Sequence, residues 1–403
     1  MARKPPTVHS GFTVAVSPRG ASRLKDEHVW VYRSDVVSAG AVPAGSVVTL
    51  TDQRGQILGS ALYSSSSQIA LRLLSRKPFV DFPALLPERI ADAIAYRERV
   101  VRDTDAYRVV FSEADFMPGL IVDRYNDILS IQVLTQAMDS EMARDTVISA
   151  LSERLTPNSI VERVDPRIRQ LEELPDRASG LLQGGKKSTI FAMNGVRFHF
   201  DAFEGQKTGA FLDQRENYAA AAQYAQGTAL DVFCYQGGFS LHLVQRCSYV
   251  TGIDSSRPAL EVAERNASLN PNLLGEKEIE WIEGNAFDVL KDYSASGQRY
   301  DTIVLDPPAF AKSKRDLGTA MRGYKELNLR ALKMLHPGGV LVTCSCSYHV
   351  SQPDFLEMLS AAARDAHRSL RLVELRGQAK DHPIVLNIPE TAYLKCIIAV
   401  VTD

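Results

Sequence analysis

The chain has 403 residues, of which 45% are hydrophobic and 23% are charged, and its formal net charge is −2. This composition is typical of an ordinary globular protein with room for two or three domains, and the overall charge indicates no particular partner. The first 77 residues nevertheless contain ten Lys and Arg against four Asp and Glu, a net charge of +6, which leaves −8 for the remainder. A basic N-terminal module favours nucleic acid as a partner, although a charged solvent-exposed face is the alternative explanation.

The cysteines and the N-terminus bear on the class of protein. The chain has five cysteines and no Cys-x-x-Cys pair, so we expect neither a disulfide framework nor a bound metal. The N-terminal sequence Met-Ala-Arg-Lys-Pro-Pro lacks an apolar signal region, and no stretch reaches the roughly 18 apolar residues of a membrane span. We therefore expect a cytoplasmic protein without membrane contact.

Residues 8–76 predict a small β barrel. Turn residues at 18–20 and 52–55 separate short apolar stretches, and 21–27 is the one obvious helical stretch. The five predicted strands span residues 12–16, 28–32, 46–50, 57–62 and 69–74. Short strands at this spacing are typical of a compact β module.

Residues 80–186 predict a second, mixed α+β unit. A helix over 83–103 precedes a hairpin over 120–133, whose turn lies at Asn126-Asp127. A helix over 140–155 and a strand over 159–163 follow. The polar stretch 170–188 is expected to be an exposed connection.

Residues 190–403 predict a doubly wound α/β domain. A hairpin around Asn194-Gly195 opens this unit. Strands beginning at residues 229, 249, 300 and 338 then alternate with helices, including those over 215–224, 325–335 and 353–367, and a strand over 393–401 closes the chain. Sheets of this kind bind ligands at the carboxyl ends of their strands, and the four alternating strands all carry polar groups there.

The turn at Gly237-Gly238 carries the first chemical signal. A strand that enters a helix through glycines brings backbone close to a ligand, but the dinucleotide fingerprint Gly-x-Gly-x-x-Gly is absent. Asp231, on the approach to the turn, would repel a diphosphate and suits the cationic S-adenosylmethionine (SAM). Asp254 ends the next strand 23 residues later, where this architecture hydrogen-bonds a ribose diol. The pattern indicates a class I methyltransferase domain, with plain turn chemistry as the alternative.

Asp306-Pro-Pro-Ala-Phe310 ends the third strand of this unit. It resembles the signature of enzymes that methylate exocyclic amino groups, in which an aromatic residue directly follows the second proline. Here Ala309 intervenes, which weakens that interpretation but leaves Asp306 well placed to hydrogen-bond a base edge. A strand-stopping motif without chemistry is the alternative.

Thr343-Cys-Ser-Cys-Ser347 supplies thiols at the end of the fourth strand. Cytosine C5 is not nucleophilic, but a thiolate that adds to C6 makes it an enamine carbon that attacks a methyl group, and loss of the C5 proton then expels the thiolate. Cys344 and Cys346 share one face of the strand, so spacing does not choose between them, although Cys346 lies nearer the end. A buried structural cysteine is the alternative for each. His349 and His382 are candidate bases, with structural or surface roles as their alternative.

A series of motifs resembles the RlmI family, bacterial methyltransferases that form 5-methylcytidine in large-subunit ribosomal RNA. In chain order the motifs are His28-Val-Trp-Val-Tyr, Ala114-Asp-Phe-Met-Pro-Gly-Leu-Ile-Val-Asp-Arg-Tyr, Lys207-Thr-Gly-Ala-Phe-Leu-Asp-Gln-Arg, Tyr235-Gln-Gly-Gly-Phe, Asp306-Pro-Pro-Ala-Phe, Arg322-Gly-Tyr-Lys, Ser345-Cys-Ser and Asp381-His-Pro. The similarity spans nearly the whole chain, so it is more specific than any single motif.

The resemblance implies three domains and a set of functional residues. The domains are an N-terminal PUA domain, an RNA-binding β barrel, over 8–76, a central α+β hairpin domain over 80–186, and a C-terminal Rossmann-like SAM-dependent methyltransferase domain over 190–403. Cys346 would be the nucleophile and Asp306 would contact the base. The implied SAM-binding residues are Asp231, Tyr235, Gly237, Gly238, Asp254 and Asn285, with Lys207 and Thr208 in a loop beside the cofactor. Ribosomal RNA is the expected substrate and partner, and a homodimer is the expected assembly.

Two positions depart from the family pattern, and alternatives stay open. Asn285 stands where relatives often carry an Asp directed at the adenine, yet its side chain can still accept from the adenine amine. Tyr348-His349-Val350 replaces Gly-Leu-Met, which leaves the target nucleotide open. The alternatives are an RNA methyltransferase of other regiochemistry, such as guanine N7, and a non-catalytic RNA-binding protein. A DNA cytosine methyltransferase is disfavoured because Ala309, not cysteine, follows Pro307-Pro308.

Overall fold

The N-terminal unit is a six-stranded sheet with one helix. The computed structural model describes residues 11–203, 209–311 and 313–402. The elements of this unit are β1 (Thr13–Val16), α1 (Pro18–Lys25), β2 (Trp30–Tyr32), β3 (Val36–Ser38), β4 (Val47–Thr51), β5 (Ile57–Tyr63) and β6 (Ile69–Ser75), and the strand order is β2-β6-β5-β4-β1-β3. Apolar residues that alternate along the strands, such as Val14 and Val16, are fully buried. The sequence did not predict β3, a three-residue edge strand whose side chains are largely exposed.

The central unit is a five-stranded sheet covered by two long helices. Its elements are α2 (Phe82–Val100), β7 (Ala106–Phe111), β8 (Leu120–Tyr125), β9 (Ile128–Val133), α3 (Glu141–Leu155), β10 (Ser159–Glu162), α4 (Pro166–Leu171) and β11 (Gly180–Gly184), and the strand order is β11-β10-β9-β8-β7. The predicted hairpin is confirmed, with Asn126 in a left-handed turn conformation (φ 51°). The connection expected over 170–188 is wrong in part, because β11 pairs with β10 there. This edge strand is half exposed, so its sequence lacks an apolar pattern.

The C-terminal unit is a seven-stranded sheet preceded by a hairpin. The elements are β12 (Ser188–Met193), β13 (Val196–Asp201), α5 (Arg215–Tyr224), β14 (Thr228–Val232), α6 (Gly238–Leu243), β15 (Tyr249–Asp254), α7 (Arg257–Ser268), α8 (Pro271–Leu274), β16 (Ile279–Glu283), α9 (Ala286–Ser296), β17 (Tyr300–Leu305), α10 (Leu317–Met334), β18 (Leu335–Ser345), α11 (Gln352–Asp365), β19 (Leu370–Arg376) and β20 (Lys395–Val401). The sheet order is β16-β15-β14-β17-β18-β20-β19, with β20 antiparallel to both neighbours and the other pairs parallel. The sequence did not predict β16 or β19, and it began the helix at 325 instead of Leu317.

This sheet is packed on both faces, as expected for a doubly wound fold. One core contains aromatic side chains from β12 and β13 together with α5 and α6, including Phe191, Phe198 and Tyr218. The other lies against α10 and α11 and includes Tyr324 and Phe355. The order of the strands reverses at β14, whose neighbours are β15 and β17. Such a switch point leaves a crevice at the carboxyl ends of the strands.

Buried charges join the central and C-terminal units. Asp381, fully buried, binds the Arg215 guanidinium at 3.0 Å and accepts from the backbone N–H of Arg108 at 2.8 Å. Its carbonyl accepts from Arg97 of α2 at 2.8 Å. Burial opposes ionisation, but the contacts with His382 and Arg215 outweigh it and hold the pKa of Asp381 well below its ordinary value. The Asp381-His-Pro motif therefore connects the two domains in the interior and is not only a closing loop.

Within the described residues, no helix has the length and apolarity to cross a bilayer.

Candidate active site

A cavity of about 340 Å³ lies at the carboxyl edge of the large sheet. This volume is within the range of small-molecule sites, about 300–1,000 Å³. The loops after β14, β15, β17 and β18 and the segment before β20 contribute its wall, which includes Tyr235, Gly238, Asp254, Asp306 and Cys346. Five of the predicted site residues therefore lie in one crevice.

The turn after β14 needs glycine at two consecutive positions. Gly237 has φ 83°, and a Cβ there would lie 2.8 Å from the Trp281 ring. A Cβ on Gly238 would lie 2.5 Å from the Tyr218 ring. Phe233 and Tyr235 also adopt positive φ, so the backbone turns sharply as it leaves the strand. A side chain at Gly238 would fill space in the cavity wall, and one at Gly237 would press on Trp281 and strain the turn, so the two glycines let the backbone approach the cavity, which fits a bound SAM.

Asp254 is fixed at the rim of the cavity by backbone groups. Its two carboxylate oxygens accept from the N–H groups of Tyr235 and Ser256, each at 2.9 Å. The carboxylate therefore has a defined orientation beside the glycine turn. The prediction that it binds a ribose diol stays a prediction.

Asp231 lies beneath the turn instead of in the cavity wall. It is fully buried and accepts from the backbone N–H and the hydroxyl of Ser240, at 2.9 and 2.6 Å. Burial, helped by the charge of Asp254 and opposed by these hydrogen bonds, raises the pKa of Asp231 to about 7. Its second oxygen has no hydrogen bond within the described chain. In this structure Asp231 supports the start of α6, and direct contact with the cofactor stays a prediction.

Asn285 does not reach the cavity wall either. Its side-chain oxygen caps α9 by accepting from the N–H groups of Phe287 and Asp288, at 2.9 and 3.4 Å. The acceptor that the sequence analysis assigned to the adenine amine is thus engaged by backbone. Lys207 and Thr208 lie outside the described residues.

Asp306 is positioned by an ordered amide. Gln214 donates to its carboxyl at 2.9 Å, and the Gln214 oxygen in turn accepts from Asn217 at 2.7 Å. Burial and the nearby carboxylates of Asp213 and Asp231, opposed by the Gln214 hydrogen bond, raise the pKa of Asp306 to about 8. At neutral pH the group is therefore mostly a neutral acid that can donate a hydrogen bond.

The structure separates the two candidate thiols. Cys344 is fully buried inside β18, directly opposite Cys396 of β20, and burial raises its pKa well above the ordinary value. Cys346 lies just beyond the strand, is half exposed and lines the cavity, with its sulfur 3.9 Å from the Pro307 carbonyl oxygen. Cys344 therefore belongs to the core, and Cys346 is the accessible thiol.

Neither candidate histidine lies in the cavity wall. His382 is buried, and its ring packs edge-on against Phe111 with centroids 5.3 Å apart. His349 packs against the exposed Tyr348. The structure therefore gives no support to either one as the base.

Three further residues line the cavity but were not predicted from the sequence: Asp213, Gln214 and Tyr393. The Tyr393 hydroxyl donates to Asp213 at 2.6 Å. Asp213 and Gln214 lie within the motif that begins at Lys207, and Tyr393 begins a predicted strand, but no periodicity indicates which of these side chains face a cavity. A short 3-10 turn, Leu212–Gln214, orients the first two.

Comparisons with known proteins agree with this geometry. A family model described as S-adenosylmethionine-dependent methyltransferase matches residues 129–399, and a PUA-like domain model matches residues 14–76. The chain belongs to this methyltransferase family. "Ribosomal RNA large subunit methyltransferase I" of Tolumonas auensis is 37% identical over 395 residues, covering 96% of this chain and 98% of the relative. The protein of the same name from Pseudoalteromonas translucida is 36% identical over 384 residues, covering 93% and 96%.

Two solved structures share the fold of the methyltransferase. SMU.776, determined in complex with SAH, has a TM-score of 0.80, and a SAM-dependent methyltransferase from Streptococcus mutans has 0.81. Each is 18% identical and covers 96% of this chain and 99% of its own. The resemblance to the RlmI family, the PUA-like and Rossmann-like folds and SAM as cofactor are thereby confirmed, whereas the domain boundaries stay predictions.

We predict that Gly237→Ala weakens SAM binding roughly tenfold or more. A non-glycine residue in a left-handed conformation costs about 1–2 kcal/mol, and the new Cβ would also press on Trp281. Isothermal titration calorimetry with SAM measures the change. Gly318→Ala in α10 is the matched control, because nothing lies within 4 Å of its Cβ position. Equal SAM affinity in both variants would contradict the proposed role of the turn.

Proposed function

We propose that this methyltransferase forms 5-methylcytidine in large-subunit ribosomal RNA, with Cys346 as a covalent nucleophile. One observation carries the proposal: the accessible thiol of Cys346 and the buried carboxyl of Asp306 line the same cavity as the glycine turn. The names of the similar proteins supply the substrate, since they are large-subunit ribosomal RNA methyltransferases. The PUA-like unit, which is basic overall, suits contacts with RNA phosphates.

Different residues of this chain would bind the cofactor and act on the base. The turn at Gly237-Gly238, Tyr235 and Asp254 would hold SAM, which supplies an electrophilic methyl group when bound. A cytidine in a folded RNA cannot reach this crevice while stacked, so the base would be flipped into it. The reaction then depends on two further side chains of the cavity wall, Cys346 and Asp306.

Cys346 would add to C6 of the base as a thiolate, forming the S–C6 bond and placing electron density on C5. Asp306 in its neutral form would donate its proton toward the ring nitrogen, which stabilises the enamine. C5 then accepts the methyl group. A base then removes the C5 proton, which restores the C5–C6 double bond and breaks the S–C6 bond, so that Cys346 leaves as a thiolate. The ring nitrogen returns its proton to Asp306, which restores the neutral acid for the next turnover.

The first test is nucleoside mass spectrometry of unmodified ribosomal RNA incubated with methyl-labelled SAM. We expect label in 5-methylcytidine with the unchanged protein and with Cys344→Ala, because Cys344 lies in the core and not in the cavity wall. Cys346→Ala should lose the label. Label in 7-methylguanosine that survives Cys346→Ala would establish the alternative regiochemistry. SAM binding without any transfer would favour a non-catalytic RNA-binding role.

A second prediction concerns pH. Because Asp306 acts as an acid with a pKa of about 8, kcat/KM should fall as the pH rises through that value and the carboxyl ionises. Asp306→Asn can still donate a hydrogen bond but not a proton, so kcat should drop roughly 10²–10⁴-fold and the alkaline decline should disappear. Steady-state rates of methyl transfer from pH 6 to 10 measure both effects. The exposed Asp292→Asn is the control, and an unchanged alkaline limb in Asp306→Asn would refute the assignment.

A further inference from the structure

Lys395 is a buried lysine whose charge the proposed reaction does not yet use. It lies at the start of β20 and is only 9% exposed. Within the described chain, no ion pair joins it to a carboxylate. Lysine is almost never buried without a partner, because removing an ammonium group from water is costly. We therefore expect a negatively charged group close to the ammonium group of Lys395.

The contacts of Lys395 hold its ammonium group against the backbone next to the nucleophile. Lys395 pairs with Ser345 in the β18–β20 ladder. Its nitrogen donates to the carbonyl oxygens of Ser347 at 2.6 Å and Tyr393 at 2.8 Å. Ser347 directly follows Cys346, and Tyr393 lies in the same cavity wall as Cys346. An ammonium has three donors, so these two carbonyls leave one N–H available.

The electrostatics agree with this placement. Burial lowers the pKa of Lys395 to about 8, and the charge of Cys346 opposes that shift. The ammonium and the thiol are therefore close enough to influence each other's ionisation. A lysine with a pKa near 8 can both accept and hold a proton at physiological pH.

The other ionisable groups around Cys346 are neutral or engaged elsewhere. From α10, the Tyr324 hydroxyl contacts the hydroxyls of Ser345 and Ser347, each at 3.0 Å. The Tyr393 hydroxyl is bonded to Asp213, as described above, and the carboxyl of Asp306 is largely neutral. The Arg108 guanidinium is held by both oxygens of Asp123, each at 2.8 Å. Cys344 and Cys396 lie beneath, in the core.

We propose that Lys395 and Cys346 form an ammonium–thiolate pair, and that Lys395 thereby activates the nucleophile. In the free enzyme the proton moves from the sulfur of Cys346 to the neutral amine of Lys395, so that both groups become charged. When the thiolate adds to C6, the ammonium stays in place. When the S–C6 bond breaks, the thiolate of Cys346 forms again and pairs with the ammonium group of Lys395. The catalytic use of the pair rests on the proposed cytosine methylation, but the pair itself exists without RNA.

The test is the pH dependence of alkylation of Cys346 in the full chain without RNA. Iodoacetamide labelling followed by peptide mass spectrometry separates Cys346 from the buried cysteines. In the unchanged protein we expect a midpoint below the ordinary thiol value of roughly 8.5. In Lys395→Met the midpoint should rise by about one unit or more, which slows labelling at pH 7 roughly three- to tenfold because the thiolate fraction falls while its intrinsic reactivity rises. Lys395→Arg should keep the low midpoint.

Lys277→Met is the matched control, because its ammonium also donates to two backbone carbonyls, those of Val244 and Gln245, at 2.7 and 3.4 Å. It should leave the alkylation profile of Cys346 unchanged. If Lys395→Met titrates like the unchanged protein, the pair does not exist.

A second measurement keeps the proposal testable if Lys395→Met fails to fold. The ultraviolet absorbance of the thiolate, taken as the difference between the unchanged protein and Cys346→Ser, should titrate below roughly 8.5. A midpoint at or above that value would overturn the ion pair. A low midpoint together with methylation of a base other than cytosine would support the pair and refute only its use in forming 5-methylcytidine.

Discussion

The antiparallel pairing of β18 with β20 is the interaction on which the site depends. Its register sets Ser345 opposite Lys395 and Cys344 opposite Cys396. A slip of one residue would turn every side chain of β20 to the other face of the sheet. Lys395 would then lose its contacts with the carbonyl oxygens of Ser347 and Tyr393, and the core beneath Cys346 would lose its cysteine pair. An otherwise parallel sheet thus uses its one antiparallel strand, together with the preceding Tyr393, to bring a second set of side chains to its functional edge.

Burial at and beside the cavity wall shifts two oppositely charged groups, Asp306 and Lys395, toward neutrality, with different consequences. The neutral form of Asp306 is the acid that can donate a proton, and its pKa of about 8 favours that form. For Lys395 the neutral form is the amine that can accept one, and its pKa of about 8 makes that form accessible. Burial therefore provides an acid in the cavity wall and a proton acceptor beside that wall. Water alone would leave both groups charged at neutral pH.

Much of the architecture could be predicted from the sequence, because its local signals agree with the tertiary structure. The turn at Asn126-Asp127, the helix Arg215–Tyr224 and the glycine turn at Gly237-Gly238 all appear where their residues require them. Five strands were missed. These are β3, β7, β16, β19 and the edge strand β11, which was expected to be an exposed connection. Their positions are determined by pairing with neighbours rather than by their own composition.

The sequence indicated that the site lies at the ends of particular strands, but not which other side chains belong to it. Asp254, Asp306 and Cys346 reach the cavity, because the carboxyl ends of parallel strands converge there. Asp231 was assigned to the cofactor from its charge near the glycine turn, and Asn285 from the resemblance to the family. Backbone N–H groups engage an oxygen of each side chain instead. Three other residues of the site come from segments whose sequence pattern does not indicate which side chains face it. These are Asp213, Tyr393 and Lys395. Their contribution depends on how a 3-10 turn and an antiparallel strand pack against the rest.

The most direct test of the central claim is covalent trapping with RNA that carries 5-fluorocytidine. Fluorine at C5 cannot leave as a proton does, so an adduct through C6 should accumulate once the methyl group has been transferred. We expect a SAM-dependent protein–RNA adduct that resists denaturation and maps by mass spectrometry to the peptide containing Cys346. Cys344→Ala should still form it. A protein that methylates cytidine efficiently in normal RNA but forms no such adduct, or forms it at another residue, would contradict the account.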